Sequence, residues 1–450
     1  MGHKTTQANS ENDQKNANDM RRLELIMETS KMKKCNDRSA IHNLHYHLLI
    51  SCALLLVTSG LLLSSTALAY DGICRSSADV TNLPPLHWCE VENSQLNDVE
   101  KKPNQYADWN GSSSTSYNSF QRNLGVKSIT SRWNGAAYDD QNDRMIIWGG
   151  GHNAYGGNEI YAFNVRNLSW SRVTDPTTFP NRSPQYKNND GTPISRHTYD
   201  GLTYISHTNE LFAMGGAPDS AAGGCGVNGT WIFSFNTNKW TEMQPSGSVP
   251  GTSCEDNAIY DPINKEVLFY KKDIRAYKRE TNSFSLKSNA NKGERRSHII
   301  DPIRRLLIQV GKNDSGSVTR KASLDNLGSG FTNLNTSGAR SLENIQNPGL
   351  AFDIASDRVV GWYGGSTVYS LNLDNNQWTA HSALSSNKAT PPSVTTYGGV
   401  YGRFRYSPTL NVFIMVNETN QSVYLYRLSE GGGIPQDVIP PAKPTSLQVN

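Results

Sequence analysis

Apolar and polar positions alternate along most of this chain in short runs, and from Ser131 onward the runs return in a fixed outline. Small and aromatic residues lead into a turn, often through an Asp, and an apolar run follows that ends on glycine or a polar residue. Six copies are countable, anchored on Tyr138, Tyr204, Tyr260, Ile300, Phe352 and Tyr406. The first, N-G-A-A-Y-D-D-Q-N-D-R-M-I-I-W-G-G, and the third, D-N-A-I-Y-D-P-I-N-K-E-V-L-F-Y-K-K, show the pattern well. From anchor to terminal position is eleven residues in five copies and twelve in the copy at Phe352. Two period-2 runs around a polar or Asp-Pro turn predict a β-hairpin in each copy. Outer strands follow as Y-A-F-N-V-R-N-L-S-W to Trp170, I-F-S-F-N-T-N-K-W to Trp240 and V-Y-S-L-N-L-D-N-N-Q-W to Trp378.

The anchors stand 66, 56, 40, 52 and 54 residues apart. That spacing suits blades of roughly 40–50 residues carrying loop insertions. The fold class expected is therefore all-β, a propeller of six four-stranded antiparallel blades over residues 131–428. A seventh blade could lie in a divergent segment. The glycines Gly149, Gly150 and Gly151 fit places where backbones approach closely, and the spaced tyrosines and tryptophans fill the wider gaps between blades. Within residues 70–130, the segment from Leu86 to Val91 is a short strand candidate that closes the ring, with a Ser/Asn/Gly-rich surface loop after it. After Leu428 the Gly/Pro-rich run over 429–450 reads as a linker, and its P-T-S-L-Q-V resembles the first strand of a fibronectin type III module.

The only long apolar run covers residues 48–69 and ends in Ala67-Leu68-Ala69, the small-residue pattern of a signal-peptide cleavage site. Residues 1–69 are thus read as an export leader with an over-long polar front, Met32 being a more ordinary start, and the mature chain begins at Tyr70. The compartment expected is extracellular or periplasmic, with no membrane attachment after cleavage. Net charge is +3 over 450 residues, with 36% hydrophobic and 18% charged residues. Without residues 1–69 the balance is about +1, which by itself says nothing about nucleic acid; no nucleic-acid partner is expected. No sequence feature asks for a subunit partner, so a monomer is expected. Four of the six cysteines, Cys74, Cys89, Cys225 and Cys254, lie beyond the leader. In an exported chain they favour two bridges, most simply Cys74–Cys89 and Cys225–Cys254, although three pairings exist. No C-x-x-C or nearby histidine supports zinc, and no metal or cofactor is expected.

With these repeats in view, the G-G…Y…W outline resembles the kelch and galactose-oxidase-central-domain superfamily. The strings G-G-G-H-N-A-Y-G-G-N-E at 149–159, S-R-H-T-Y-D-G-L at 195–202 and Y-G-R-F-R-Y-S-P at 401–408 are similar to those of bacterial exported kelch-like proteins. The resemblance implies a fold and leaves the activity open. A copper radical oxidase would need a Cys–Tyr cross-link, and the four cysteines are better placed in bridges.

Candidate chemistry lies just before the inner strands, where a propeller's loops crowd its axis. Arg132, Arg196, Arg296 and Arg403 occur there, with His197, Tyr199 and His298 beside them and His152 in the loop after Gly151. Arginine pairs bidentately with carboxylates, so these four are the candidate binding residues for an acidic polysaccharide or other glycan. His152, His197, Tyr199 and His298 are the candidate catalytic residues for β-elimination of a uronate, in which one group takes the C5 proton and another protonates the leaving oxygen. Lyases of acidic algal glycans also set His, Tyr and Arg on propellers. The alternative is a non-catalytic propeller that binds glycan or protein. In it the arginines only satisfy carbonyls and aspartates between blades.

Overall fold

The structure, a computed structural model, describes residues 70–100, 124–152, 154–177, 186–219, 224–226, 229–270, 273–289, 295–394 and 398–430. The expected leader (1–69) and the linker beyond Glu430 lie outside them, as does 101–123. Six small antiparallel sheets stand in a ring and form a six-bladed β-propeller. Their inner strands are Ala136–Asp139, Leu202–Ile205, Asn257–Asp261, Ser297–Asp301, Gly349–Asp353 and Phe404–Ser407, and each packs beside the next. We number the blades 1 to 6 in that order. The anchor residue of every repeat lies on one of these strands, which is why the anchors recur at blade spacing.

The same physics sets each inner hairpin. Asp139, Asp261, Asp301 and Asp353 follow their anchors, and their carboxylates accept the turn's N–H groups, as Asp139 does from Gln141 at 3.1 Å and Asn142 at 3.0 Å. Five residues past each anchor the chain turns left-handed, at Asp143, Asn209, Lys265, Arg305, Asp357 and Asn411. Arginines then tie neighbouring blades through carboxylates at these turns. Arg305 of blade 4 holds Asp261 of blade 3 at 2.7 Å, and Arg304 reaches Asp357 of blade 5 at 2.6 Å.

Apolar residues facing both ways from each sheet build one core per seam between blades. Ile146 and Trp148 of blade 1 pack with Leu211 and Trp231 of blade 2, and corresponding clusters fill the other seams round to blades 6 and 1. Glycine matters where the end of blade 1 meets the segment 195–197. Gly149 has φ +117°, and a Cβ there would stand 2.4 Å from the Arg196 carbonyl oxygen. The close contact is with that segment, off the propeller axis.

The last blade is finished by the start of the described chain. His87–Val91 pairs antiparallel with Tyr424–Arg427 as the outermost full strand of blade 6, and Ile73–Cys74 adds to it in parallel. Trp88 is fully buried there against Tyr426 and Trp362. Between the two short strands runs a helix, Ser77–Thr81, capped by Ser76 and Asp79. The bridges are Cys74–Cys89 and Cys225–Cys254. Among the described residues no helix is long and apolar enough to cross a membrane, and no cluster of ligand side chains could hold a metal ion.

Along the axis a cavity of about 420 Å³ is lined by all six inner strands. Its lining runs down to the hairpin turns at Asp140, Pro262, Pro302 and Pro408, so it opens on the face that those turns form.

Candidate functional site

At the opposite face each strand linking one blade to the next must reverse sharply to enter the inner strand. It does so at one position, five residues before the anchor. Trp133, Tyr199, Glu255, Arg295, Asn347 and Tyr401 all have φ between 46° and 65° there. Backbone hydrogen bonds join neighbours in this ring: Tyr199 N–H donates to Trp133 C=O at 2.7 Å, and Asn347 N–H to Arg295 C=O at 3.0 Å. One side chain per blade is thereby delivered to a common level around the axis.

These side chains meet. The Tyr199 and Tyr401 rings are 6.0 Å apart, edge to face, and Ala217, Trp133 and Cys254 pack on them. Asn347 donates to the Tyr401 hydroxyl at 3.3 Å, and Arg295 stands 3.5 Å from Glu255. Burial first, and then the Glu255 carboxylate, push both tyrosine hydroxyls up, so they keep their protons. The Cys225–Cys254 bridge pins the residue next to Glu255.

Three of the four expected catalytic residues join this mouth. His197 lies 5.2 Å from Trp133, 5.7 Å from His152 and 6.5 Å from Tyr199, ring centre to ring centre. Arg132 sits 6.0 Å over the Trp133 ring. Burial pulls His197 down to about 3, helped by the charges of His152 and Arg132, so its imidazole is neutral. His152 Nδ1 and His197 Nε2 are buried and have no hydrogen-bond partner among the described residues. Such atoms are costly unless something else satisfies them.

The other expected residues are elsewhere. His298 is buried between blades 3 and 4, stacked on Tyr270 at 4.7 Å and bonded to Gln309 at 2.6 Å. Arg403 gives its guanidinium to the carbonyls of Asn134, Val416, Asn417 and Gly399. Arg296 is bonded to the carbonyls of Gly311 and Gly316 and the side chain of Asn313. Arg196, lowered to about 9 by burial, points under Trp148 and bonds the Gly215 carbonyl. Of the four arginines expected to bind substrate, only Arg132 is at the mouth. The correction has a simple origin: Arg196, Arg132, Arg296 and Arg403 lie eight, six, four and three residues before their anchors, so they do not share a register.

No protein-family model matches this chain, nor does any curated protein. Reading the sequence missed Trp133, Glu255, Arg295, Asn347 and Tyr401 as a set. Counting back five from every anchor would have found them.

His197 makes the mouth acid-sensitive. Its folded value lies below the ordinary 6.5, so the unfolded chain binds the extra proton between those values and folding loses stability as pH falls. The loss begins below about pH 6.5 and runs at about 1.4 kcal/mol per pH unit. Urea midpoints for wild type and His197→Gln should diverge least at pH 5 and most at pH 7.5 if the neutral ring is well packed. An unchanged difference across that range would show that His197 is not held neutral.

Proposed function

We propose that this protein is an exported member of the kelch and galactose-oxidase-central-domain superfamily, and that its mouth takes an acidic glycan and eliminates across a uronate residue. The observation that carries the reading is the convergence of His152, His197, Tyr199 and Tyr401 with Arg132 and Trp133 around two unpartnered imidazole nitrogens. Export is supported by the apolar run ending at Ala69 and by the two disulfides.

In this reading the indole of Trp133 stacks on a sugar ring and Arg132 holds the uronate carboxylate, which acidifies the C5 proton. His197, kept neutral, accepts that proton. The C5–H electrons form the C4=C5 double bond, the C4–O bond breaks, and the Tyr199 hydroxyl protonates the departing oxygen. The alternative is a mouth that binds glycan without turnover, which the partly buried Trp133 beside the buried tyrosines would also serve.

The oxidised protein should be incubated with a panel of acidic polysaccharides while the ultraviolet absorbance of unsaturated uronate is followed. Rising absorbance that Tyr199→Phe abolishes, with retention on the same glycan unchanged, is the expected result. Retention without absorbance replaces elimination by binding. Neither retention nor absorbance on any acidic glycan removes both readings.

A further inference from the structure

The cavity that opens on the hairpin-turn face has its own chemistry, separate from the mouth, since none of the six mouth-ring residues lines it. One residue before each anchor faces it: Ala137, Thr203, Ile259, Ile299, Ala351 and Arg405. Five of these are uncharged, and the sixth is a guanidinium. The aromatic faces of Tyr204, Tyr260 and Tyr406 and the rings of Pro262, Pro302 and Pro408 continue the wall outward.

Arg405 is engaged on one edge only. Its Nη2 donates to the Ala136 carbonyl at 3.3 Å and stands 3.7 Å from an Asp200 carboxylate oxygen. Its Nε and Nη1 make no hydrogen bond among the described residues. A guanidinium so placed differs from Arg403, whose nitrogens are taken by carbonyls, because it keeps donors toward the cavity. Burial pulls it below its ordinary value, and the Asp200 charge only partly offsets this. A desolvated cation with free donors gains most from an anion that can accept two parallel hydrogen bonds. The apolar wall around it gains from a body that leaves no polar group uncovered. The other charges at this cavity, Asp140 and Arg166, are at its outer rim, and Arg166 is already paired with Asp143.

We propose that this axial cavity is a second ligand site, for a small molecule with one carboxylate on an apolar, ring-sized body, with Arg405 binding the carboxylate at the inner end. The body lies between the tyrosine and proline walls, and the rim carboxylate of Asp140 disfavours a second negative charge at the outer end.

The test uses 2-naphthoate as probe, its neutral amide 2-naphthamide as the uncharged control and sulfate as the anion without an apolar body, with binding read by calorimetry on the folded, oxidised protein. Naphthoate should bind at least roughly tenfold more tightly than either control, and Arg405→Met should weaken it by a similar factor. Ile299→Trp, which fills the cavity from the blade 4 wall, should abolish it while leaving the thermal midpoint near wild type; it serves where Arg405→Met does not fold. Tyr401→Phe, at the other face, should leave naphthoate binding intact. Equal binding of the amide or of sulfate, no binding at millimolar naphthoate, or full binding to the Ile299→Trp protein would each overturn the proposal. None of these outcomes depends on glycan elimination at the mouth.

Discussion

A chain that begins at Glu92 is expected to lose the cooperative fold altogether. Removing His87–Val91 strips blade 6 of its outermost full strand and leaves the edge of Tyr424–Arg427 unpaired. It also removes Trp88, which is fully buried, packs on Tyr426 at 4.9 Å and gives its indole N–H to the Ser366 carbonyl at 2.9 Å. Truncating a buried tryptophan alone costs about 3–5 kcal/mol, against a total stability of about 5–15 kcal/mol for a typical domain. The lost strand pairing and the Cys74–Cys89 bridge add to that. Near-ultraviolet circular dichroism and a thermal melt of the shortened chain should show no cooperative transition. Trp88→Ala should show a lowered one. A peptide of residues 70–91 added in trans should restore part of the signal, and a shortened chain melting within a few degrees of wild type would refute the closure.

Arg403→Ala is expected to be the most damaging of the arginine substitutions, and its damage should be to folding. The side chain is 2% exposed and spans the seam between blades 6 and 1, bonded to Asn134 of one and Val416 and Asn417 of the other at 2.8–2.9 Å. Alanine leaves four buried carbonyls without their donor, and breaking a buried charged network costs about 3–5 kcal/mol. The thermal midpoint should fall by roughly 5–10 °C. Lysine should rescue little, because a single ammonium cannot reach four carbonyls that a planar fork reaches. Arg132→Ala is the contrast: at the mouth, it should leave the midpoint nearly unchanged while weakening glycan retention. A reversal of those two behaviours would return Arg403 to the list of substrate ligands.

The blades were legible because their signal is a repeated distance. Anchor, Asp-led turn and second apolar run follow from the geometry of a hairpin and recur whatever residues surround them. The closing strand was visible as an isolated apolar run around Trp88, and the two short-loop disulfides followed from cysteine count and spacing. The mouth was legible only in part. His152, His197 and Tyr199 stood out as chemically capable residues beside glycines and arginines. The arginines misled because nearness to an inner strand in sequence was taken for equal register. A shift of one residue on a strand turns a side chain from the axis to a seam; Arg403, in the turn before the strand Phe404–Ser407, serves a seam, while Arg405, on that strand and partly exposed, lines the cavity. The mouth ring escaped notice because what recurs at its six positions is a backbone conformation, while the residue type changes from blade to blade.

That last property bears on how such a mouth can change. An indole, two phenols, a carboxylate, a guanidinium and an amide occupy one and the same left-handed turn, and main-chain hydrogen bonds link Trp133 to Tyr199, Arg295 to Asn347 and Asn347 to Tyr401. An L-residue in this conformation gives up about 1–2 kcal/mol, a loss glycine would avoid, so the turn itself does not call for any of these groups. The six turns behave as interchangeable sockets on a frame whose seams are built elsewhere. Swapping the exposed side chains among them would alter what the mouth presents to a ligand, whereas glycine at Tyr199 or Tyr401 would relieve the backbone strain only by giving up their buried packing.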